Sequence, residues 1–111
     1  MSNQIRQKTT PTHTFTLPQD FDPSIISVLE ISYRQNQRVV LIKGLSDVTI
    51  DGQVISLNLS QTETLNFDSK SPVFVQVAIL TNSNNSLLSD IYPICVYEAQ
   101  SKNLLGASND S

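Results

Sequence analysis

The side chains able to carry out chemistry in this chain are few and scattered. His13 is the only histidine and Cys95 the only cysteine. A serine or cysteine nucleophile needs a base held beside it, and no nucleophile motif accompanies His13. His13 is flanked by Thr12 and Thr14 in an alternating run and reads as an edge-strand residue. Cys95, between Ile94 and Val96, reads as a small buried hydrophobe. One thiol makes no intrachain disulfide, and one cysteine with one histidine makes no zinc site. The carboxylate pairs Asp20 with Asp22 and Asp47 with Asp51 could serve glycoside hydrolysis, and the Asp-x-Asp of Asp20 and Asp22 could serve calcium, although the other ligands and the glycine of a calcium loop are missing. All four fall at expected turns, where aspartate caps the backbone. Gly44, Gly52 and Gly106 are isolated, so there is no phosphate cradle. Tyr33, Tyr92 and Tyr97 could form a sugar-stacking platform, but they are spread along strand-like runs. No catalytic residue, metal ligand or cofactor site emerges.

The elements that must position these residues are strands. Thr12 to Leu17 alternates, placing Phe15 and Leu17 on a buried face before Pro18 ends the run. Asp22-Pro23 starts the next element. Ile25 to Arg34 carries Leu29, Ile31 and Tyr33 on one side with Glu30, Ser32 and Arg34 on the other. Arg38 to Lys43 is apolar on both faces, which predicts a central strand hairpinned to its predecessor through Asn36. Asp51-Gly52 predicts a type I′ turn between Val48–Ile50 and Gln53–Leu59. Ser60-Gln61-Thr62-Glu63 is a capping box opening a short helix anchored by Leu65 and Phe67. Pro72 to Leu80 turns at Thr81–Ser86 into a last strand, Leu87 to Glu98, whose Pro93 predicts an edge or a bulge. Seven strand-like runs and one short helix predict an all-β antiparallel sandwich with an immunoglobulin-like layout, although the Cys–Trp–Cys core of immunoglobulins is absent. The expected organisation is a flexible N-terminal arm over 1–11, the sandwich over 12–98 and a polar tail over 99–111.

Bulk composition narrows the function classes. Charged residues are 15% of the chain, with a formal net charge of -3. Ser, Thr, Asn and Gln supply 42 of the 111 residues, so the expected surface is neutral and polar. Seven Lys plus Arg argue against nucleic-acid binding, which needs clustered positive charge. No apolar run reaches the roughly 20 residues of a membrane-spanning helix, and residues 1–16 lack the apolar core of a signal peptide. A single thiol is in keeping with a reducing compartment.

Thr10-Pro11-Thr12-His13-Thr14-Phe15-Thr16-Leu17-Pro18 resembles the start of small proteins encoded among the virion structural genes of phages and prophages of Gram-positive bacteria. The likeness continues through Asp22, Ile25 and Ile26, then Tyr33-Arg34-Gln35-Asn36. It runs on through Leu57-Asn58-Leu59-Ser60-Gln61-Thr62-Glu63-Thr64-Leu65, and Val75-Gln76-Val77 before Leu80-Thr81. It covers about residues 8–97, and its motifs are structural. The resemblance implies a β-sandwich virion protein of the tail, baseplate, head–tail connection or capsid surface, similar in layout to the N-terminal adaptor domains of baseplate proteins. No long fibre region follows residue 98, so an adaptor, cementing or accessory role is expected before direct host recognition.

The sequence-level expectation is therefore a non-enzymatic virion protein, made in the host cytoplasm, that binds other virion subunits and forms a homo-oligomer or symmetric array. It would act without nucleic acid, membrane or cofactor. Its expected contacts are the arm, open strand edges, the apolar anchors Ile5, Phe15 and an outward-facing Phe74, and the neighbouring Arg34 and Arg38. The alternative from another class is a carbohydrate-binding module, which predicts tyrosines clustered on one face.

Overall fold

A computed structural model describes residues 3–106. Among the described residues, ten strands, one short α-helix and two 3₁₀ turns follow one another. Strand β2 (Thr12–Thr16) pairs with β6 (Val54–Asn58), which pairs with β5 (Val48–Asp51), giving an antiparallel three-stranded sheet. The larger sheet runs β4 (Arg38–Gly44), β3 (Ile26–Gln35), β7 (Val73–Thr81) and β8 (Ser86–Leu88). Strand β9 (Tyr92–Ile94) joins β7 further along the edge that β8 occupies. A third pairing, parallel, links β1 (Ile5–Arg6) to β10 (Val96–Tyr97). The chain is an antiparallel β-sandwich, as its alternation predicts.

Period-two patterning fills the space between the sheets. Leu29, Ile31 and Tyr33 from β3 and Val73, Val75, Val77 and Ile79 from β7 face inward. Phe15, Ile55 and Leu57 come from the opposite sheet, with Leu17 and Leu59 just beyond its strands. Ser60 accepts from Glu63 N at 3.1 Å, and the Glu63 carboxylate returns a bond to Ser60 N at 2.9 Å. This capping box starts helix α1 (Gln61–Leu65), and Phe67 behind it is 1% exposed, as the sequence predicts.

Several expectations need correcting. The segment ahead of β2 is docked within the described residues. Ile5 is 0% exposed in the core, and Ile5 N and Gln7 N donate to Cys95 O and Tyr97 O. Gln7 is also buried, its amide bonding Phe67 O and Ala99 N. A two-residue strand is too short for periodicity to register, and a buried amide looks polar in a composition count. Met1 and Ser2 lie outside the described residues. The tail from Ala99 to Gly106 packs back as well, with Gln61 bonding both N and O of Leu105. Residues 107–111 lie outside the described residues.

Strand β4 is an edge strand, paired with β3 alone. Its apolar residues on both faces mark an outer surface with Val39 and Ile42 about half exposed, not a central position. Asp51 is extended, and the turn residues are Gly52 and Gln53, of which only Gly52 has positive φ. The turn with two positive φ angles is Asn36–Gln37, at 53° and 63°. That is the requirement of a type I′ turn, met at the β3–β4 hairpin. The last strand breaks into β8, β9 and β10, and Pro93 occupies an edge opposite Phe74, as predicted from its missing N–H.

Candidate interaction surface

The outer face of the larger sheet is built from residues that alternate with the core set. On β3 these are Val28, Glu30, Ser32 and Arg34. On β7 they are Phe74, Gln76, Ala78 and Leu80. Register aligns them in rungs across the strands. Arg34 lies between Val39 and Phe74, Ser32 between Ile42 and Gln76, and Glu30 between Gly44 and Ala78. Large apolar side chains remain uncovered here, with Val28 51%, Val39 49%, Ile42 56%, Leu88 67% and Ile91 49% exposed. Exposed large apolar side chains grouped on one face are a mark of interaction sites on folded domains.

Arg34 lies with its guanidinium 5.8 Å from the Phe74 ring centroid, a cation–π contact on this face. Ser32, Val39, Gln76 and Ile91 complete a shallow depression of about 170 Å³ around the pair. Phe74 faces outward, as expected, and the register sets it beside Arg34, a pairing the sequence did not announce. Arg38 does not join them. It pairs in register with Gln35, one rung from Arg34, and adjacent rungs present opposite faces.

The other two expected anchors belong to the interior. Ile5 is sealed beneath the β1–β10 pairing and is unavailable to a partner. Phe15 is 8% exposed and lies tilted against Tyr92, with ring centroids 6.5 Å apart. It borders an apolar cleft of about 440 Å³ between the outer edge of β2 and β8–β9, walled also by Leu17, Phe21, Val77, Ile79 and Leu87. Beside that cleft the Asn3 amide donates to Thr14 O and accepts from Thr14 N, both at 3.0 Å. A side-chain amide thus stands where a neighbouring strand's peptide group would pair with β2.

The candidate chemical residues stay apart. Tyr33 is fully buried, Tyr92 lines the cleft, and Tyr97 lies beneath the Arg6 guanidinium at 4.9 Å. The three tyrosines share no face. Asp22 accepts from Ser24 N and Oγ at 3.0 and 2.7 Å, and these bonds lower its pKa. Asp47 accepts from Gly44 N at 2.8 Å. Among the described residues no three His, Cys, Asp or Glu side chains come together in a metal-binding group. Cys95 is exposed, contrary to the expectation from its apolar neighbours. It falls between β9 and β10, where the chain leaves one pairing for another and the inward–outward alternation restarts.

His13 is 1% exposed and bridges the layers. Its Nε2 lies 2.6 Å from Gln4 O and must donate, so Nδ1 accepts from Tyr33 Oη at 2.7 Å. Burial lowers its pKa below 6.5, partly countered by the Gln4 bond. Burial raises that of Tyr33, with the Glu63 charge adding to it. A neutral imidazole joined to a neutral phenol ties one sheet to the other.

Sequence reasoning missed Val39, Ile42, Leu88 and Ile91. The signal was present in β4, where a run apolar on both faces leaves Val39 and Ile42 exposed on an edge strand.

No family model matches the chain, and no curated protein matches it. Among solved structures, the chain is similar to the immunoglobulin-like domain of mouse leukocyte-associated immunoglobulin-like receptor 1, crystallised as a strand-swapped dimer. That alignment has 10% identity and a TM-score of 0.44, covering 86% of each chain. It is also similar to the V domain of amphioxus IgVJ-C2, with 13% identity, a TM-score of 0.35 and coverage of 83% of this chain and 96% of that one.

Proposed function

We propose that this chain is a non-enzymatic structural protein of a phage virion, acting as an adaptor, cementing or accessory subunit. It holds to neighbouring virion proteins through the outer face of the β4-β3-β7-β8 sheet. The observation that carries the reading is the exposed apolar surface at Val28, Val39, Ile42, Leu88 and Ile91 around the Arg34–Phe74 pair. A surface of that kind costs free energy in water and is relieved when a complementary surface covers it. The sparse charge adds support, because like subunits repel less when packed densely. The virion setting itself rests on the motif resemblance between residues 8 and 97. A carbohydrate-binding role would be served by aromatic rings sharing one face, and Tyr33, Tyr92 and Tyr97 do not share one.

Quantitative mass spectrometry of purified particles tests the proposal. The expected result is this chain at a fixed copy number relative to the capsid and tail proteins. A variant with Ile42→Lys and Leu88→Lys should fold normally yet be depleted from particles. Absence of the chain from purified particles would overturn the virion role.

A further inference from the structure

Among the described residues the ion pairs are Lys43 with Glu63 and Lys102 with Glu98. The outer face carries two opposite charges, Glu30 and Arg34, that form no ion pair among the described residues. They lie on one strand, on either side of Ser32, about 13 Å apart by strand rise. Their rungs differ in size as well as sign. Val39 and Phe74 flank Arg34, whereas Gly44 and Ala78 flank Glu30. Beside β3, one end of the face is bulky and positive and the other is small and negative, with Leu88 beyond Ala78 at its margin.

A single symmetry operation matches these ends. A two-fold axis lying between two stacked copies, crossing β3 at Ser32 at right angles to the strand, runs each β3 antiparallel over its counterpart. Arg34 then meets the partner's Glu30, Phe74 falls over the partner's Ala78, and Val39 falls over the partner's Gly44. Stacked sheets sit about 10 Å apart, a gap that extended Arg and Glu side chains span together and that a large side chain opposite a small one fills. An axis parallel to the strands would instead set Glu30 on the partner's Glu30, and like charges facing each other disfavour it. Ile42 and Gln76, on the Ser32 rung, lie near the axis and meet their own counterparts, as an isologous contact requires.

Resting on the reading of this face as an interface, we infer that its partner is a second copy of the chain, held in a two-fold dimer by reciprocal Glu30–Arg34 pairs around Ser32. The test is sedimentation equilibrium of the purified 111-residue chain at concentrations up to about 100 μM, with circular dichroism to verify folding. The expected result is a concentration-dependent dimer. Glu30→Arg alone and Arg34→Glu alone each place like charges in contact at both cross-pairs, and each should weaken the dimer at least about tenfold. The double variant exchanges the charges and should restore it. A wild-type chain that stays monomeric over this range overturns the inference, as does a double variant that dimerises no better than either single one. The virion reading fails separately, on absence from particles, so a monomer found in particles refutes only the dimer.

Discussion

The imidazole of His13 and the phenol of Tyr33 meet 2.7 Å apart between the sheets, joining the edge strand of one to a central strand of the other. Each satisfies a polar atom the other has buried, and among the described residues no buried side-chain nitrogen or oxygen lacks a partner. Tyr33→Phe should therefore cost about 1–3 kcal/mol, because it leaves the Nδ1 acceptor buried and unpaired. Chemical denaturation of the variant and the parent at neutral pH measures this.

Burial lowers the pKa of His13 below 6.5, so between its folded value and 6.5 the unfolded chain binds more protons. The stability contributed by neutral His13 is fully present above that range and is lost as the pH falls through it. Unfolding free energy should drop on going from about pH 7.5 to 5, and His13→Gln should flatten that drop while being less stable at the upper end. Equal slopes in parent and variant would rule out His13 as the group responsible.

Ile5 contributes to the core from a segment whose composition suggests a loose leader. Ile5→Ala should cost about 2–5 kcal/mol, in the range of other buried large-to-small changes. Removing residues 1–7 should do more, since it also deletes the β1–β10 bonds and the Gln7 amide that ties Phe67 to Ala99. Thermal melts of both variants check this. A truncated chain melting with the parent would show the docking to be dispensable.

Gln37 occupies a left-handed conformation at φ 63°, which suits glycine. Gln37→Gly produces the Asn-Gly pair that type I′ hairpins favour and should stabilise the chain by roughly 0.5–1 kcal/mol. Because the turn lies between β3 and β4, the gain is expected in hydrogen-exchange protection of that hairpin as well as in the melting midpoint.

Gln35 fastens the loop after α1. Its amide donates to Asp68 O and Ser71 O at 2.6 and 2.8 Å and accepts from Asp68 N at 2.8 Å. Gln35→Leu keeps the volume and strips all three bonds from a side chain 4% exposed, so a loss of several kcal/mol is expected from the stranded backbone groups. Glutamate at the same position should not rescue stability, since it cannot donate to two carbonyls.

The core was legible wherever period two ran for five residues or more. Leu29, Ile31 and Tyr33, the Val73–Ile79 row, and Ile55 with Leu57 all face inward as their spacing predicts. The capping box at Ser60 and the edge position of Pro93 were legible because each has a single stereochemical cause. Strand order was not, and that is why β4 reads as central from Val39 to Ile42 yet lies at an edge. Ile5 was hidden by the brevity of its strand, and Cys95 by a break between strands that no turn residue announces. Of the expected contact residues, Arg34 and Phe74 came together because they occupy one rung of neighbouring strands. Ile5 was read as an anchor from apolarity alone, which does not tell an inward face from an outward one. Phe15 was read as one although its own alternation places it on the buried face.

The parallel pairing of β1 with β10 fixes how the domain would bear tension. A pull toward opposite directions from Asn3 and from Glu98 runs along both strands, so the bonds from Ile5 N to Cys95 O and from Gln7 N to Tyr97 O are sheared together and not peeled one after another. A subunit threaded into a larger assembly by its two ends would yield abruptly, at a force set by that short clasp, and not by gradual unravelling of the sheets behind it.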